Sequence, residues 1–206
     1  MAVTKQTPLI GAVILAAGRG TRFSSGNKLN APFGGGTVLS AVITAVLGSK
    51  VKDIVLVTSD LELLVPSPKD RRLRRTTPNA TSRGLAQSLK AGILALNPDA
   101  EAAMIVLGDM PLVTADLIDV LIASFNANGR TKIVFPENAQ GEQGHPVIWP
   151  RLFFGELFSL EGDRGGKDII AANVQHAAPV LVQSAGPFTD VDTRASYERL
   201  LKTGRT

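Results

Sequence analysis

The chain contains no cysteine among its 206 residues, which excludes disulfide bridges and thiolate metal sites. Aromatic residues make up only 5% of the sequence and the formal net charge is only +4, so a base-stacking platform and a strongly basic nucleic-acid surface are not expected. No segment approaches the roughly 20 consecutive apolar residues of a membrane span. These absences predict a cytoplasmic protein with neither a nucleic-acid nor a membrane partner.

The length and the apolar pattern predict one α/β domain over residues 1–206. Continuous apolar runs indicate buried strands, and apolar residues at helical spacing indicate amphipathic helices between them. Strands are predicted at 9–16, 53–58, 102–107, 132–135, 146–149 and 180–182. Helices are predicted at 38–47, 82–96, 114–125, 151–158, 167–172 and 195–201. Because strands and helices alternate, we expect a three-layer sandwich with a mostly parallel, Rossmann-like sheet.

Two segments depart from this alternation. Residues from about 138 to 188 predict a small inserted β-rich lobe, which would receive a substrate. Residues 62–77 carry Pro66, Pro68 and an arginine cluster at 71–75, and they predict an exposed excursion. The cluster is interpreted as a solvated face.

The segment that follows the first predicted strand has the composition of a triphosphate-binding loop. Its residues are Leu15, Ala16, Ala17, Gly18, Arg19, Gly20, Thr21 and Arg22, with Lys28 closing the loop. Glycines allow the backbone N–H groups to approach a polyanion. The two arginines and the lysine supply charge for phosphate oxygens.

Other interpretations of this loop remain open. A dinucleotide-binding fingerprint is disfavoured because Phe23 replaces its third glycine and no acidic residue follows about twenty positions later. A P-loop is disfavoured because no Gly-Lys-Ser or Gly-Lys-Thr follows. A plain tight turn between strand and helix is the simplest alternative.

Acidic residues stand at two further places. Asp109 follows a central strand, where open parallel sheets bind their ligands, and a carboxylate facing a triphosphate predicts a Mg²⁺ site. Its alternative role is to form a turn or cap a helix. Asp190 and Asp192 lie two apart, so in an extended segment they point to one side. Asp192 could then be a second metal ligand, and the alternative is that it caps the final helix.

These motifs together resemble the nucleotidyltransferases of the molybdenum-cofactor type. The resemblance rests on the first loop with Lys28 and on four later motifs in the same order, which span residues 10–197. These are Gly108-Asp109-Met110-Pro111, Gly144-His145-Pro146, Gly162-Asp163-Arg164-Gly165-Gly166-Lys167 and Asp190-Val191-Asp192-Thr193. The resemblance implies the fold of nucleotide-diphospho-sugar transferases.

Within that family the sequence is most similar to the cytidylyl branch. Guanylyl members typically carry Leu-Ala-Gly-Gly where this chain has Leu-Ala-Ala-Gly at 15–18, and asparagine where it has Asp192. The chain departs from the family pattern in the longer link 23–27, in Thr-Arg-Ala-Ser at 193–196, and in Lys167, where arginine is common. These departures leave the acceptor substrate open.

The resemblance also implies roles for individual residues. Arg22, Lys28 and Asp109 would be catalytic, and Asp109 with Asp192 would hold Mg²⁺. The nucleotide, CTP, would be bound by the first loop, Lys28 and Asp109, and by the segment 79–89 through Gly84 and Ser88. A molybdopterin-type acceptor would be bound by Gly144, His145, Pro146, Asp163 and Lys167, and a molybdoenzyme would receive the product.

Two other functions stay open from the sequence. One is transfer from GTP, or transfer to a sugar or polyol phosphate on the same fold. The other is a non-catalytic protein that binds nucleotide or delivers the cofactor. Mere binding does not need two metal carboxylates, which disfavours the second.

Overall fold

A computed structural model describes residues 9–18, 23, 27–60, 63, 65, 70–78 and 84–203. In this part of the chain the strands are β1 Ile10–Leu15, β2 Pro32–Phe33, β3 Gly36–Thr37, β4 Asp53–Val57, β5 Leu73–Thr76, β6 Ala102–Leu107, β7 Ile133–Glu137, β8 Val147–Pro150 and β9 Ala177–Leu181. The helices are α1 Val38–Gly48, α2 Leu85–Leu94, α3 Ala115–Ala127, α4 Phe154–Ser159, α5 Lys167–Ala172 and α6 Arg194–Thr203.

Seven of these strands form one sheet in the order β5-β4-β1-β6-β8-β7-β9. β1 lies between β4 and β6 and is parallel to both, and β9 is parallel to β7. β8 is antiparallel to both of its neighbours, β6 and β7. The predicted mostly parallel α/β sheet is therefore confirmed.

The sheet is covered on both faces, because alternate residues of each buried strand face opposite sides. Ile14, Leu56 and Met104 belong to one apolar core, which includes buried residues of α1, α3 and α6. Val13 and Ile105 belong to the other, which includes buried residues of α2, α4 and α5. Three layers result, as the sequence predicts.

The helix starts follow local capping chemistry. Thr37 accepts a hydrogen bond from the Ser40 N–H at 3.1 Å, and Thr114 accepts one from the Leu117 N–H at 3.2 Å. Both helices therefore begin where the sequence predicts. Among the described helices, none is long and apolar enough to cross a membrane.

The segment 138–188 differs from the prediction, because it does not form a separate β-rich lobe. β8 is buried along its whole length and pairs with β6, placing Val147 opposite Ile105. β9 extends the sheet beyond β7. Apolar strands on both sides of β7 complete the sheet, so only the connecting segments and short helices lie outside it.

The predicted exposed excursion also contains a strand. β5 pairs with β4 in parallel, aligning Arg74 with Val55, and it forms the edge of the sheet. Its outward arginines are compatible with an edge position, because charged side chains protect an exposed strand edge. Arg74 donates to Asp53 at 2.6 Å.

Candidate active site

The first loop and the Asp109 segment leave the sheet at the same edge. β1 and β6 are parallel neighbours, and Leu15 pairs with Leu107 at their carboxyl ends. The Gly108 N–H donates to the Leu15 carbonyl at 3.0 Å. This is the edge where open parallel sheets bind their ligands.

A short turn brings Lys28 to this edge. Asn27 starts a 3₁₀ turn over Lys28–Asn30 by accepting from the Leu29 N–H at 3.0 Å. Its amide also donates to the Asp60 carboxylate at 2.7 Å. Leu29 is only 3% exposed, so the turn is anchored in the core and Lys28 is held toward the site.

The Lys28 ammonium bridges two carboxylates. Its Nζ atom lies 2.6 Å from Oδ2 of Asp109 and 2.7 Å from Oδ1 of Asp192. The Lys28 side chain is 11% exposed, and burial by itself lowers the pKa of its ammonium. The charges and hydrogen bonds of Asp109 and Asp192 outweigh burial, so the pKa of Lys28 is raised and the ammonium stays charged.

A third carboxylate, that of Asp190, joins the pair. Val191 is fully buried, and its N–H donates to the Asp109 carbonyl at 2.9 Å. One carboxylate oxygen from each of Asp109, Asp190 and Asp192 lies within 4.8 Å of the other two. Partial desolvation by the surrounding chain, followed by the charges of Asp192 and Asp109, raises the pKa of Asp190, although the residue stays accessible to solvent. The sequence prediction did not include Asp190 as a ligand, although its spacing from Asp192 carried the signal.

Asp192 is not the cap of the final helix. Thr193 accepts from the Ser196 N–H at 3.1 Å, and Ser196 Oγ accepts from the Thr193 N–H at 3.0 Å. This reciprocal pair is a capping box at the start of α6. The departure from the family pattern at 193–196 therefore keeps a cap and leaves the Asp192 carboxylate for Lys28.

The three carboxylates fit a divalent metal ion. Hard divalent cations prefer carboxylate oxygens, and three oxygens within 4.8 Å of one another can share one ion. The site is partly open, since Asp190 is exposed while Asp109 and Asp192 are half-buried.

Helix α6 packs against the segment that follows β1, next to the carboxylate cluster. The ring of Tyr197, in α6, packs edge-to-face on Phe23 with centroids 5.8 Å apart. Its hydroxyl donates to the Pro32 carbonyl at 2.6 Å. These contacts bring the segments that carry Lys28 and Asp192 together.

The predicted base-recognition segment contacts a predicted acceptor loop. Gly84 has φ +105°, and a Cβ there would lie 2.4 Å from the Gly162 carbonyl oxygen. The same carbonyl accepts from the Ala86 N–H at 3.1 Å, and Asp163 accepts from the Leu85 N–H at 3.2 Å. Asp163 thus covers the amino end of α2. Ser88 is 8% exposed in the same helix, and its contact with a nucleotide stays a prediction.

The loop Gly144-His145-Pro146 lies next to the cluster but is held in the protein. The His145 N–H donates to the Pro187 carbonyl at 2.9 Å. Burial lowers the pKa of His145 to about 4, and the charges of Asp109 and Lys167 also act on it. Its Nδ1 atom is buried and has no hydrogen-bond partner among the residues described. Acceptor binding by this loop and by the exposed Lys167 stays a prediction.

Part of the first loop can be located. Ala16 is buried, Ala17 packs against the core that contains residues of α2, and Gly18 is exposed. The predicted phosphate ligands Arg19, Gly20, Thr21 and Arg22 lie outside the described residues.

Comparison with known proteins identifies the family of the chain. The chain is 26% identical to the probable molybdenum cofactor guanylyltransferase of Methanosarcina acetivorans, covering 92% of this chain and 89% of that protein. It resembles the crystal structure of Rv0371c from Mycobacterium tuberculosis with a TM-score of 0.80 at 27% identity, covering 95% of this chain and 99% of the other. A second structure of Rv0371c, in complex with manganese, gives a TM-score of 0.76 at 26% identity over 95% of this chain and 99% of that chain. Residues 12–178 match the family described as the MobA-like NTP transferase domain. The chain is therefore a nucleotidyltransferase that belongs to the MobA-like family.

Proposed function

We propose that this nucleotidyltransferase transfers CMP from CTP to a molybdopterin-type cofactor and releases pyrophosphate. An oxygen of the acceptor's phosphate attacks the α-phosphorus of CTP, and the bond from that phosphorus to the bridging oxygen of the β-phosphate breaks. The observation that carries the proposal is the Lys28 ammonium held between Asp109 and Asp192 beside the end of β1. Such a transfer depends on positioning and charge neutralisation and needs no covalent nucleophile.

The chain's own residues have separate tasks in this reaction. Gly18 and Gly20 offer backbone N–H groups to the β- and γ-phosphates. Arg22 and Lys28 neutralise charge on the α-phosphate and on the leaving pyrophosphate. Asp109 and Asp192 would hold Mg²⁺, which supplies further positive charge to the phosphates when bound.

The acceptor is assigned to the part of the site that contains His145 and Lys167. The charges of Lys167 and Asp109 both act on His145, so His145 lies within electrostatic range of each of them. A molybdopterin phosphate would find in Lys167 an exposed cation at the start of α5. A molybdoenzyme that takes up the finished cofactor is the partner expected for this product.

Ala17 favours CTP over GTP. Its methyl group lies on the side of the sheet covered by α2, whose amino end carries the predicted base-recognition segment. A purine needs more room there than a pyrimidine, and the guanylyl branch carries glycine at this position. GTP remains the second candidate, because the relative from Methanosarcina acetivorans is named as a probable guanylyltransferase.

Pyrophosphate release tests the proposal. Purified protein is incubated with Mg²⁺ and each of CTP, GTP, ATP and UTP, with and without molybdopterin-bound molybdenum. The proposal expects release that requires the acceptor and is fastest with CTP. Release with a sugar or polyol phosphate in place of the molybdenum cofactor would reject the acceptor, and no release with any combination would reject catalysis.

A further inference from the structure

The three carboxylates and Lys28 form a cluster whose charges depend on one another. Three carboxylates that each place one oxygen within 4.8 Å of the other two repel, so the cluster requires a nearby cation. Lys28 supplies one, with Nζ 2.6 Å from Asp109 and 2.7 Å from Asp192. Two of the three residues that fit a metal ion are thus already hydrogen-bonded to an ammonium group of the chain itself.

We propose that Lys28 and a divalent cation compete for Asp109 and Asp192, so that metal binding releases the Lys28 ammonium toward the nucleotide. The competition concerns only residues of this cluster. The second half, the delivery of Lys28 to a triphosphate, rests on the proposed nucleotidyl transfer.

Distance and charge prevent the Lys28 ammonium and a divalent metal ion from binding Asp109 and Asp192 at the same time. A Mg²⁺ ion sits about 2.0–2.1 Å from a carboxylate oxygen, and it demands near-ideal octahedral geometry around itself. An ammonium bonded to the same two carboxylates at 2.6 and 2.7 Å would stand beside that ion with like charge. Its bonds to the two carboxylates therefore break when the metal binds, and the flexible lysine stem lets the ammonium turn away.

Asp190 provides the oxygen at which the exchange can begin. Asp190 is exposed, and the hydrogen bonds of Lys28 go to Asp109 and Asp192. A metal ion can thus meet Asp190 first and take Asp109 and Asp192 as Lys28 leaves. This makes Asp190 a third ligand, in addition to the two that the sequence predicts.

The release of Lys28 makes metal binding precede the contact between Lys28 and a triphosphate. Before metal binds, the ammonium is neutralised by two carboxylates and is a poor partner for phosphate. After metal binds, the same ammonium faces a site where a triphosphate brings new negative charge. Binding of metal and nucleotide is then mutually favourable without any movement of the sheet.

Direct metal binding tests the competition without substrate. Mn²⁺ alone is titrated into nucleotide-free protein, and free Mn²⁺ is followed by electron paramagnetic resonance. Lys28→Met is expected to bind Mn²⁺ about fivefold or more tightly than wild type, since it removes the competing charge. Lys50→Met is the matched control, because Lys50 is 72% exposed and pairs with Asp119 on the surface. Asp190→Asn should weaken binding in both backgrounds.

Equal or weaker Mn²⁺ binding by Lys28→Met overturns the proposal. A second measurement uses only the wild type and therefore does not depend on whether the variant folds. Lysines are acetylated briefly with and without saturating Mg²⁺, and each site is quantified by mass spectrometry. Lys28 should react faster with Mg²⁺ while Lys50 does not change; unchanged or slower labelling of Lys28 also overturns the proposal.

The two proposals can fail separately. If no nucleoside triphosphate is consumed but Lys28→Met binds Mn²⁺ more tightly, the competition stands and the proposed reaction fails. If CTP is consumed and Lys28→Met binds Mn²⁺ no better than wild type, only the competition fails.

Discussion

The Nζ atom of Lys28 lies 2.6 Å from Oδ2 of Asp109, although 81 positions of sequence separate the two residues. The contact joins the loop after β1 to the turn after β6. Asp192 adds a third segment from near the end of the chain, again through Lys28. A site assembled from three distant segments depends on the register of β1 against β6 and on the packing of α6. Because Lys28 contacts the other two segments, a substitution at Lys28 is expected to affect all three.

Lys28→Ala should reduce turnover by about 10²-fold or more, the scale of losing one electrostatic stabiliser of a transition state. The cause is the missing positive charge at the phosphates. Turnover is measured as pyrophosphate release, and circular dichroism checks that the fold is retained. Lys50→Ala, which removes an exposed lysine, is the control. Normal turnover by Lys28→Ala would reject its catalytic role.

Asp109→Asn and Asp192→Asn should each abolish most activity and increase the Mg²⁺ concentration needed for what remains. Each change removes a negative charge from the cluster while keeping the side-chain shape. Activity is measured against Mg²⁺ concentration. If Asp192→Asn keeps the wild-type Mg²⁺ dependence, Asp192 is not a metal ligand.

Thr193→Ala separates helix capping from metal binding. Thr193 caps α6, so its loss should lower the free energy of unfolding by about 1 kcal/mol. Asp192→Asn should lower the free energy of unfolding by less, because the amide oxygen can still accept from Lys28, Asp109 still supplies a negative charge, and the Asp192 side chain is 46% exposed. Urea denaturation of both variants measures the difference. A larger loss in Asp192→Asn than in Thr193→Ala would contradict the assignment of the cap.

The elements predicted well are those that local chemistry determines. The continuous apolar run at 102–107 forms β6 over those same residues, and Thr37 and Thr114 start their helices through their own hydroxyls. β5 could not be predicted, because its Leu-Arg-Arg-Thr sequence has no apolar period and becomes a strand only by pairing with β4. Edge pairing is a tertiary effect that the local sequence does not encode.

In the site, too, some features follow from the local sequence and others depend on tertiary packing. The sequence singles out Asp109 by its position after a strand, Lys28 as the residue that closes the first loop, and Asp192 by its spacing from Asp190, and the family resemblance implies their roles. Their direct contact, and the place of Asp190 beside them, depend on how α6 packs against the first loop. The contact of Gly84 with Gly162 likewise joins two motifs that are far apart in the sequence.

Gly84→Ala should destabilise the protein by about 1–3 kcal/mol, because its backbone conformation is nearly exclusive to glycine. The added Cβ would also lie 2.4 Å from the Gly162 carbonyl oxygen, so the loop 162–167 would have to shift. Thermal unfolding measures the loss, and KM for the nucleotide measures the shift. Gly155→Ala, in α4 with open space around it, is the control and should be neutral or stabilising. Equal stability of the two variants would contradict this reasoning.

His145 predicts a pH-dependent loss of stability. Burial lowers its pKa from 6.5 to about 4 in the folded protein, so protonation favours the unfolded chain. The stabilisation that comes from keeping His145 neutral is complete above pH 6.5, and the free energy of unfolding decreases as the pH falls from 6.5 toward 4. The loss is at most about 3 kcal/mol.

Comparing variants isolates this effect from the acidic residues that titrate in the same range. Urea denaturation of wild type and His145→Asn is measured at several pH values between 7 and 4. The difference between the two unfolding free energies should shrink as the pH falls. A difference that stays constant would show that His145 does not titrate on unfolding.

CTP should be used at least about tenfold better than GTP, which corresponds to about 1.4 kcal/mol in transition-state binding. The reason is the methyl group of Ala17, which crowds a purine and leaves room for a pyrimidine. Ala17→Gly should therefore shift the ratio of kcat/KM values toward GTP, with a small effect on CTP. Measuring kcat/KM for both nucleotides on wild type and variant decides the matter. A preference of the wild type for GTP would reject the cytidylyl proposal while leaving the fold and the carboxylate cluster as described, because the specificity depends on one methyl group and the cluster does not.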